Sequence, residues 1–563
     1  MDKLPFYYLL LLAPVLYPVD NAITGITAEF ILMLLLGIGY MVYCRHKRFR
    51  WNVLDVLFVL FVAWYTARLS WSEPPLNTRG ICSGLCCLLL YFYARTVSFS
   101  SVVFPLLLCA GVVQSAWCWA QWFHLLPSSH PFFGATGGFF NPALASVAIA
   151  ASCVAGVCVA TTGSRPVFRV LAWAACAAMF ATLVRLGSRA SWVGLVAGMG
   201  WLLFSSGKLA TRRKWDALLV LLLIPAVAGL LYWLNPVSVQ GRFLIWQVSK
   251  DIFGDSPWVG SGSFASSYMP AQAEWFAARP DSPYVRVAGN NGYAFNEFVR
   301  VACETGVLGL LLFVGLLVLG LREAWKGGKD SRYAGAVLAT ILVFGLFGYP
   351  FSSGLVVAVA VLAVATIAKE AAPGVVRVAQ YSPYNFIRQT ALVLCLFAFS
   401  FEYYRLKRAD VLLAKAQKDV AETVDYRLAR YYNHLSNTPD FVLAYGRAIY
   451  LRGSYLQALP VLERACELRP MYTIVCDLGS CYQRLSLWRQ AEQRYRLAAD
   501  MVPGYIVPRS LLFNLYKEIG DYEKAEPVAR GILDKPVKVV NSTVLRTRHA
   551  ARKFLETMEQ TKR

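Results

Sequence analysis

Three arginines stand in stretches of aromatic and small residues. They are Arg189 in Ser188-Arg189-Ala190-Ser191-Trp192, Arg242 in Gly241-Arg242-Phe243-Leu244-Ile245-Trp246, and Arg286 in a segment rich in Pro, Asp and Gly. A guanidinium is planar, always charged, and able to hold two oxygens of one anion at once. Fixed guanidiniums therefore suit a reaction in which negative charge builds on a leaving group. Glu297, in Phe295-Asn296-Glu297-Phe298, and Asp255 are carboxylates that would serve as a general base if burial or a neighbour tuned them. Each of these residues also has a plain structural reading. Arg242 anchors the end of a membrane span by snorkelling, Arg286 is a solvated surface residue, and Arg189 opens a helix, where a cation opposes the dipole. Asn296 caps the helix that contains Glu297, and Glu297 complements that helix's dipole. Trp246 and Trp258 belong to an interfacial aromatic belt or offer a ring face to a sugar. Pro257, Gly260 and Gly262 shape a turn. No paired Asp motif suggests bound Mg²⁺ and no Cys/His cluster has metal spacing, so neither a metal nor a cofactor is expected.

The elements that must position these residues are membrane helices. Of 563 residues 57% are hydrophobic and 16% charged, with a mean hydropathy of +0.48, whereas soluble domains run near 45–50% and about 25%. Residues 404–563 hold 27 Lys+Arg and 17 Asp+Glu, an ordinary soluble density, so the excess of apolar residues belongs to the part before them. About 13 segments there have helix-compatible length, near 4–19, 26–44, 53–70, 80–94, 101–125, 142–161, 167–185, 190–205, 216–234, 305–321, 332–349, 352–368 and 386–403, with Pro350 marking a break or a kink. Basic clusters follow the second span (Arg45, Lys47, Arg48, Arg50), the eighth (Lys208, Arg212, Arg213, Lys214) and the tenth (Arg322, Lys326, Lys329, Arg332). All three fall in the cytoplasm if the N-terminus starts there. The net charge of +22 is then a topology signal and not a nucleic-acid footprint. The same orientation puts the longest connection, 235–304, and the C-terminal part outside the cytoplasm. The 14 cysteines sit mostly in or beside the spans and form no disulfide framework; only Cys466, Cys476 and Cys481 lie in the tail.

The tail repeats with a period of 33–34 residues. Gly446, Ala458, Leu462, Ala465 and Pro470 recur as Gly479, Ala491, Tyr495, Ala498 and Pro503, and a third copy keeps Tyr516, Gly520, Ala525, Ala529 and Pro536. The pattern resembles the tetratricopeptide repeat, with small residues where paired helices touch. The resemblance implies an α-solenoid over about 439–537, either a surface for a peptide or protein partner or a packing scaffold for the membrane part. The fold class expected for the chain is thus all-α, a polytopic membrane domain over 1–404 that includes the 235–304 loop, then a repeat domain over 405–563.

Four further elements occur in order along this topology: the Gly138-Phe139-Phe140-Asn141-Pro142 turn, the Ser188-Arg189 helix start, the Arg242-to-Trp246 loop entry with Pro257-Trp258-Val259-Gly260-Ser261-Gly262, and the Asn296 to Glu304-Thr305-Gly306 exit. With them residues 1–370 resemble the O-antigen ligase and polymerase superfamily. The resemblance implies a metal-independent glycosyltransferase of the bacterial inner membrane. Its donor is a glycan on undecaprenyl diphosphate, and its acceptor is a lipid core, a growing polysaccharide or a protein hydroxyl. The large loop and repeats lie in the periplasm. It further implies that Arg242, and more loosely Arg286, face the diphosphate, and that Arg189, Asn296, Trp246 and Asn141 bind substrate; Glu297, from its own chemistry, is expected to join the arginines in catalysis. Ligases of this family commonly carry His-Asn at the loop exit, but Phe295 holds the His position here. None of the five histidines, His46, His124, His130, His434 and His549, lies within 235–304. Two other function classes remain open: a flippase of lipid-linked glycan and a membrane-anchored scaffold for envelope assembly. A flippase needs polar residues along its path and often internal repeats across its spans, and few such charges are found here.

Overall fold

The computed structural model describes residues 51–71, 78–96, 100–205 except 129, 131 and 164, 236–371, 404, 408, 409, 411–413, 426–534, 537 and 540–562. The expected spans at 4–19, 26–44, 216–234 and 386–403, and the basic clusters at 45–50 and 208–214, lie outside the described residues. Among the described residues every regular element is helical. In chain order the helices are α1 (Val53–Ser70), α2 (Thr78–Thr96), α3 (Ser100–Trp122), α4 (Pro142–Thr162), α5 (Pro166–Leu186), α6 (Arg189–Ser205), α7 (Pro236–Asp255), α8 (Phe264–Ala277), α9 (Glu297–Lys326), α10 (Lys329–Gly345), α11 (Gly354–Glu370), α12 (Tyr426–Leu435), α13 (Pro439–Leu451), α14 (Tyr455–Leu468), α15 (Tyr472–Arg484), α16 (Trp488–Met501), α17 (Ile506–Ile519), α18 (Tyr522–Asp534) and α19 (Ser542–Lys562). Short 3-10 turns occupy Pro283–Arg286 and Pro350–Ser352.

The helices form two compact units. One contains α1–α6 and α9–α11, and the other α7, α8 and α12–α19. The sequence division counted the 235–304 loop with the membrane part; by packing, residues Tyr232–Ala294 group with Ala409–Arg563.

In the first unit the helices coincide with the expected apolar segments to within a few residues, with one informative exception. The tenth span was expected to begin at 305, where the apolar run starts. Helix α9 begins eight residues earlier, at Glu297, because the Asn296 side chain accepts hydrogen bonds from the Phe298 and Val299 amides at 2.9 and 3.2 Å. Gly306, at φ 67°, kinks the helix where the two expectations differ. Among the described residues four helices are long and apolar enough to cross a membrane: Val103–Trp122, Pro142–Thr162, Pro166–Leu186 and Glu297–Lys326. Helix α4 lies at the centre, packed on α3, α5, α6 and α10. Its Ala, Ser, Cys and Gly residues let neighbours approach closely, which is how helices associate where lipid offers no hydrophobic gain. The same device joins α6 to α10: a Cβ on Gly194 would meet the Thr340 carbonyl oxygen at 2.6 Å, and one on Gly198 the Ala336 oxygen at 2.9 Å. At one end of this unit buried Asp55 accepts from the Arg95 guanidinium at 2.7 and 2.9 Å and from the Tyr91 hydroxyl at 2.6 Å. The break at Pro350 is a 3-10 turn between α10 and α11.

In the second unit α13 to α19 pack each on the next. The repeated small residues sit at helix contacts: a Cβ on Gly446 would lie 2.9 Å from Leu462, and one on Gly479, a repeat later, 2.7 Å from Tyr495. Ala458, Ala465, Ala491, Ala498, Ala525 and Ala529 are all buried. The turn inside each pair carries a left-handed residue, Gly453, Ser486 and Gly520, at φ 79°, 57° and 76°. Helix α7 packs on α8, and α8 packs on α16.

Candidate active site

In the first unit the sequence-predicted residues gather where α3, α5 and α10 end and α4, α6, α9 and α11 begin. Asn141 caps α4, its side chain accepting from the Ala143 amide at 2.8 Å. The turn before it is held by two buried glutamines of α3. Gln121 accepts from the Thr136 and Gly137 amides and donates to the Pro127 and Gly137 carbonyls, while Gln114 accepts from the Gly138 amide. Ser191, two residues into α6 from Arg189, shares hydrogen bonds with Ser146 of α4 at 2.7 Å and with Ser188 at 2.9 Å. Phe295, in the position where a family histidine is expected, packs edge-on against Tyr349 with ring centres 5.2 Å apart. Both belong to an apolar cluster with Phe139, Leu144, Leu186 and Leu355. Phe295 has φ 51°, a conformation that costs a bulky residue energy and that collects at functional sites. The Asn141 turn, the Arg189 helix start and the Asn296 exit therefore meet at one end of one helical unit.

Glu297 is buried, and both of its carboxylate oxygens are taken. Oε2 accepts from Arg300 Nε at 2.6 Å, and Oε1 accepts from the Phe351 amide at 3.0 Å. The same guanidinium donates through Nη1 to the Tyr65 hydroxyl at 2.9 Å and to Glu304 Oε2 at 3.2 Å, and Tyr65 donates to that Glu304 oxygen at 2.7 Å. Beside it Trp64 donates to the Thr305 carbonyl at 3.2 Å, next to the Gly306 kink. Each carboxylate oxygen keeps a further lone pair beside these contacts, and the contacts hold α9, α1 and the Pro350 turn together.

In the second unit Arg242 lies half-buried on α7, so the expected loop entry is helical. Arg286 is exposed and closes the Pro283–Arg286 turn. These two segments meet, since a Cβ on Gly241 would lie 4.0 Å from the Val287 carbonyl oxygen. Trp246, one turn along α7 from Arg242, donates its indole N–H to the Ala294 carbonyl at 3.2 Å, tying α7 to the end of the loop. The helix leaves the Arg242 and Trp246 side chains on neighbouring turns, and Phe243 stands edge-on to Trp246 at 5.8 Å.

Sequence reasoning missed Arg300, Tyr65, Gln114 and Gln121. Intramembrane polar residues are costly and so point to function or pairing. The seven-residue spacing of Gln114 and Gln121 puts both on one helix face, and Glu297, Arg300 and Glu304 have the i, i+3 and i+4 spacing of helical ion pairs. The loop at 121–134 also walls a cavity of about 540 Å³ that includes His124, His130, Phe132 and Phe133. His130 Nδ1 accepts from the Phe132 amide at 3.1 Å, so its neutral ring carries the proton on Nε2 and offers a donor there. Among the described residues no group of three His, Cys, Asp or Glu side chains is placed to hold a metal ion.

Comparison with known proteins gives two sequence matches. Residues 174–314 match the O-antigen ligase family, a span that contains Arg189, Arg242, Trp246, Arg286, Asn296 and Glu297. The chain is 26% identical over 308 residues to an O-antigen ligase of Pseudomonas aeruginosa, covering 52% of this chain and 70% of that one. No solved structure matches the chain. The ordered motifs and these two matches point the same way: the chain is similar to the O-antigen ligase family over residues 174–314 and to one such ligase over about half of its length.

Proposed function

We propose that the protein transfers a glycan from an undecaprenyl-diphosphate-linked donor to an acceptor hydroxyl at the periplasmic face of the bacterial inner membrane, without a metal ion. Similarity to the O-antigen ligase family supports glycan transfer in envelope polysaccharide assembly. The observation that carries the finer reading is the meeting of the Arg242 helix with the Arg286 turn at Gly241 and Val287, which brings two permanently charged side chains onto one part of the loop unit. In the transfer the acceptor oxygen attacks the anomeric carbon, and the bond from that carbon to the diphosphate oxygen breaks. The electron pair leaves with the diphosphate, and the acceptor proton passes to water or to the departing phosphate. Arg242 and Arg286 neutralise the charge that grows on the diphosphate. Within the first unit Arg189, Asn141 and Asn296, each at a helix start, serve in substrate binding. Trp246, its N–H already committed to Ala294, presents a ring face to a sugar. Glu297 contributes by fixing Arg300 and the Phe351 amide. The acceptor is a lipid core, a growing polysaccharide or a protein hydroxyl.

The C-terminal helices read as tetratricopeptide pairs. The buried Gly and Ala positions and the left-handed turn residues at 453, 486 and 520 support this. The test is transfer from lipid-linked donor by purified Arg242→Ala and Arg286→Ala proteins that keep their helical content. Losing one of two charge-assisted grips on the leaving group should cost roughly 10²–10³ in rate. Undiminished transfer by both variants would remove the proposed roles.

A further inference from the structure

The C-terminal helices hold the loop that bears Arg242 and Arg286 through one corner, where α16 ends and α17 begins. Gln272 of α8 is fully buried. Its amide donates to the Gly289 carbonyl at 3.1 Å and to the Met501 carbonyl at the end of α16, and its oxygen accepts from the Tyr268 hydroxyl at 2.7 Å. One side chain thus joins the loop helix, the segment three residues beyond Arg286, and the end of a repeat helix. At the same corner Gly504 lies against the Arg286 turn. A Cβ there would stand 2.6 Å from the Val285 carbonyl oxygen and 3.8 Å from the Arg286 Cα. The strand of chain pressed on Gly504 reaches the Arg242 helix two residues later, where Val287 faces Gly241.

We propose that the Met501–Gly504 corner is a positioning device for the loop, and that Gln272 and Gly504 are positioning residues that set the Arg286 turn against the Arg242 helix. The inference rests on the reading of those arginines as the diphosphate grip. It assigns the C-terminal helices a part in the transfer reaction itself, through the placement of Arg286, whatever else their remaining surface binds. A methyl group at Gly504 cannot be taken up by a flexible side chain, because the atom in its way is backbone. The Val285 carbonyl must retreat by several tenths of an ångström and carry Arg286 with it. A displacement of about 1 Å at a catalytic group costs roughly 10²-fold in rate, so a loss of about 10- to 100-fold is expected.

The experiment compares full-length Gly504→Ala with Gly531→Ala, a change at a glycine whose Cβ would have nothing within 4 Å. Two readouts are taken: hydrogen exchange of the amides at 284–289, and kcat and KM for a lipid-linked donor. Faster exchange at 284–289 with a fall in kcat for Gly504→Ala, and neither for Gly531→Ala, supports the device. Wild-type exchange there, or faster exchange with unchanged kcat, overturns it. Gln272→Glu gives a second route should Gly504→Ala fail to fold. Its neutral acid can still donate to one of the two carbonyls, whereas its carboxylate repels both, so its activity relative to wild type should recover as pH falls, and a flat ratio overturns the proposal. Arg242→Ala and Arg286→Ala run alongside. If both transfer normally the reading of the arginines fails, while the exchange result still reports on the corner.

Discussion

Replacing Arg300 with Met removes a cation that two buried carboxylates share. Glu297 and Glu304 are 1% and 7% exposed, and the guanidinium reaches them at 2.6 and 3.2 Å. With Arg300 present the three side chains carry one net negative charge; without it Glu297 and Glu304 carry two, on side chains only 2% and 9% exposed. Breaking a buried pair by removing one partner costs about 3–5 kcal/mol, mostly for the charge left behind. Arg300→Met should therefore destabilise the membrane unit by about that amount. The penalty belongs to the stranded carboxylates, so Arg300→Met combined with Glu297→Gln and Glu304→Gln should regain more than half of it. The Gln at 297 keeps an oxygen for the Phe351 amide, which preserves one native hydrogen bond. A double-mutant cycle should give Arg300 a larger coupling with Glu297 than with Glu304, because the first contact is shorter and uses Nε alone, while the second shares Nη1 with Tyr65. The assay is unfolding of purified protein in mixed micelles under increasing SDS, followed by the loss of helical signal. An Arg300→Met protein as stable as wild type, or a triple variant no more stable than the single one, would refute the argument.

Other outcomes follow from the same geometry. Ser486 holds the left-handed position that glycine fills at 453 and 520, so Ser486→Gly should raise the melting temperature of the repeat unit. The left-handed conformation costs an L-residue about 1–2 kcal/mol, partly offset by the greater freedom of an unfolded glycine. Burial pushes the Cys476 thiol up to about 12 and the Cys481 thiol up to about 11, with Asp477 and Glu463 adding to it respectively. Little thiolate then exists at pH 8, and iodoacetamide should modify both only after denaturant is added; rapid labelling of the native protein would contradict this. Gly194→Leu places a side chain against the Thr340 carbonyl, and should separate α6 from α10 at a cost of about 1–3 kcal/mol, measured by the same SDS titration.

What was legible in the sequence was the chemical type of each residue and the length of each apolar run; what was not was pairing across distance. The spans of the first unit could be read because a helix in lipid must be apolar for most of its length. The start of α9 could not, since its first turn is polar and is buried through partners elsewhere. Glu297 and Glu304 drew notice, but Arg300 between them did not, because its value depends on Tyr65, 235 residues away. The α7 helix was taken for loop entry although Pro236 opens it in the position proline favours. The expected site residues Asn141, Arg189 and Asn296 were found at one end of the first unit because each marks a helix start, and helix starts carry recognisable residues.

The attachment of the loop to the repeats left no such mark. Gln272 meets the Met501 carbonyl from 229 residues away, and every residue has a carbonyl. Gly504 reads as an ordinary turn glycine until a backbone is found against it. The repeat pattern left two readings open, a surface for a partner and a packing scaffold; the corner at Met501–Gly504 is occupied by the chain's own loop. Where a repeated helical region follows a long connection between spans, the first partner to test is therefore that connection, and the residues to test are the small ones whose side chains are too short to have kept it out.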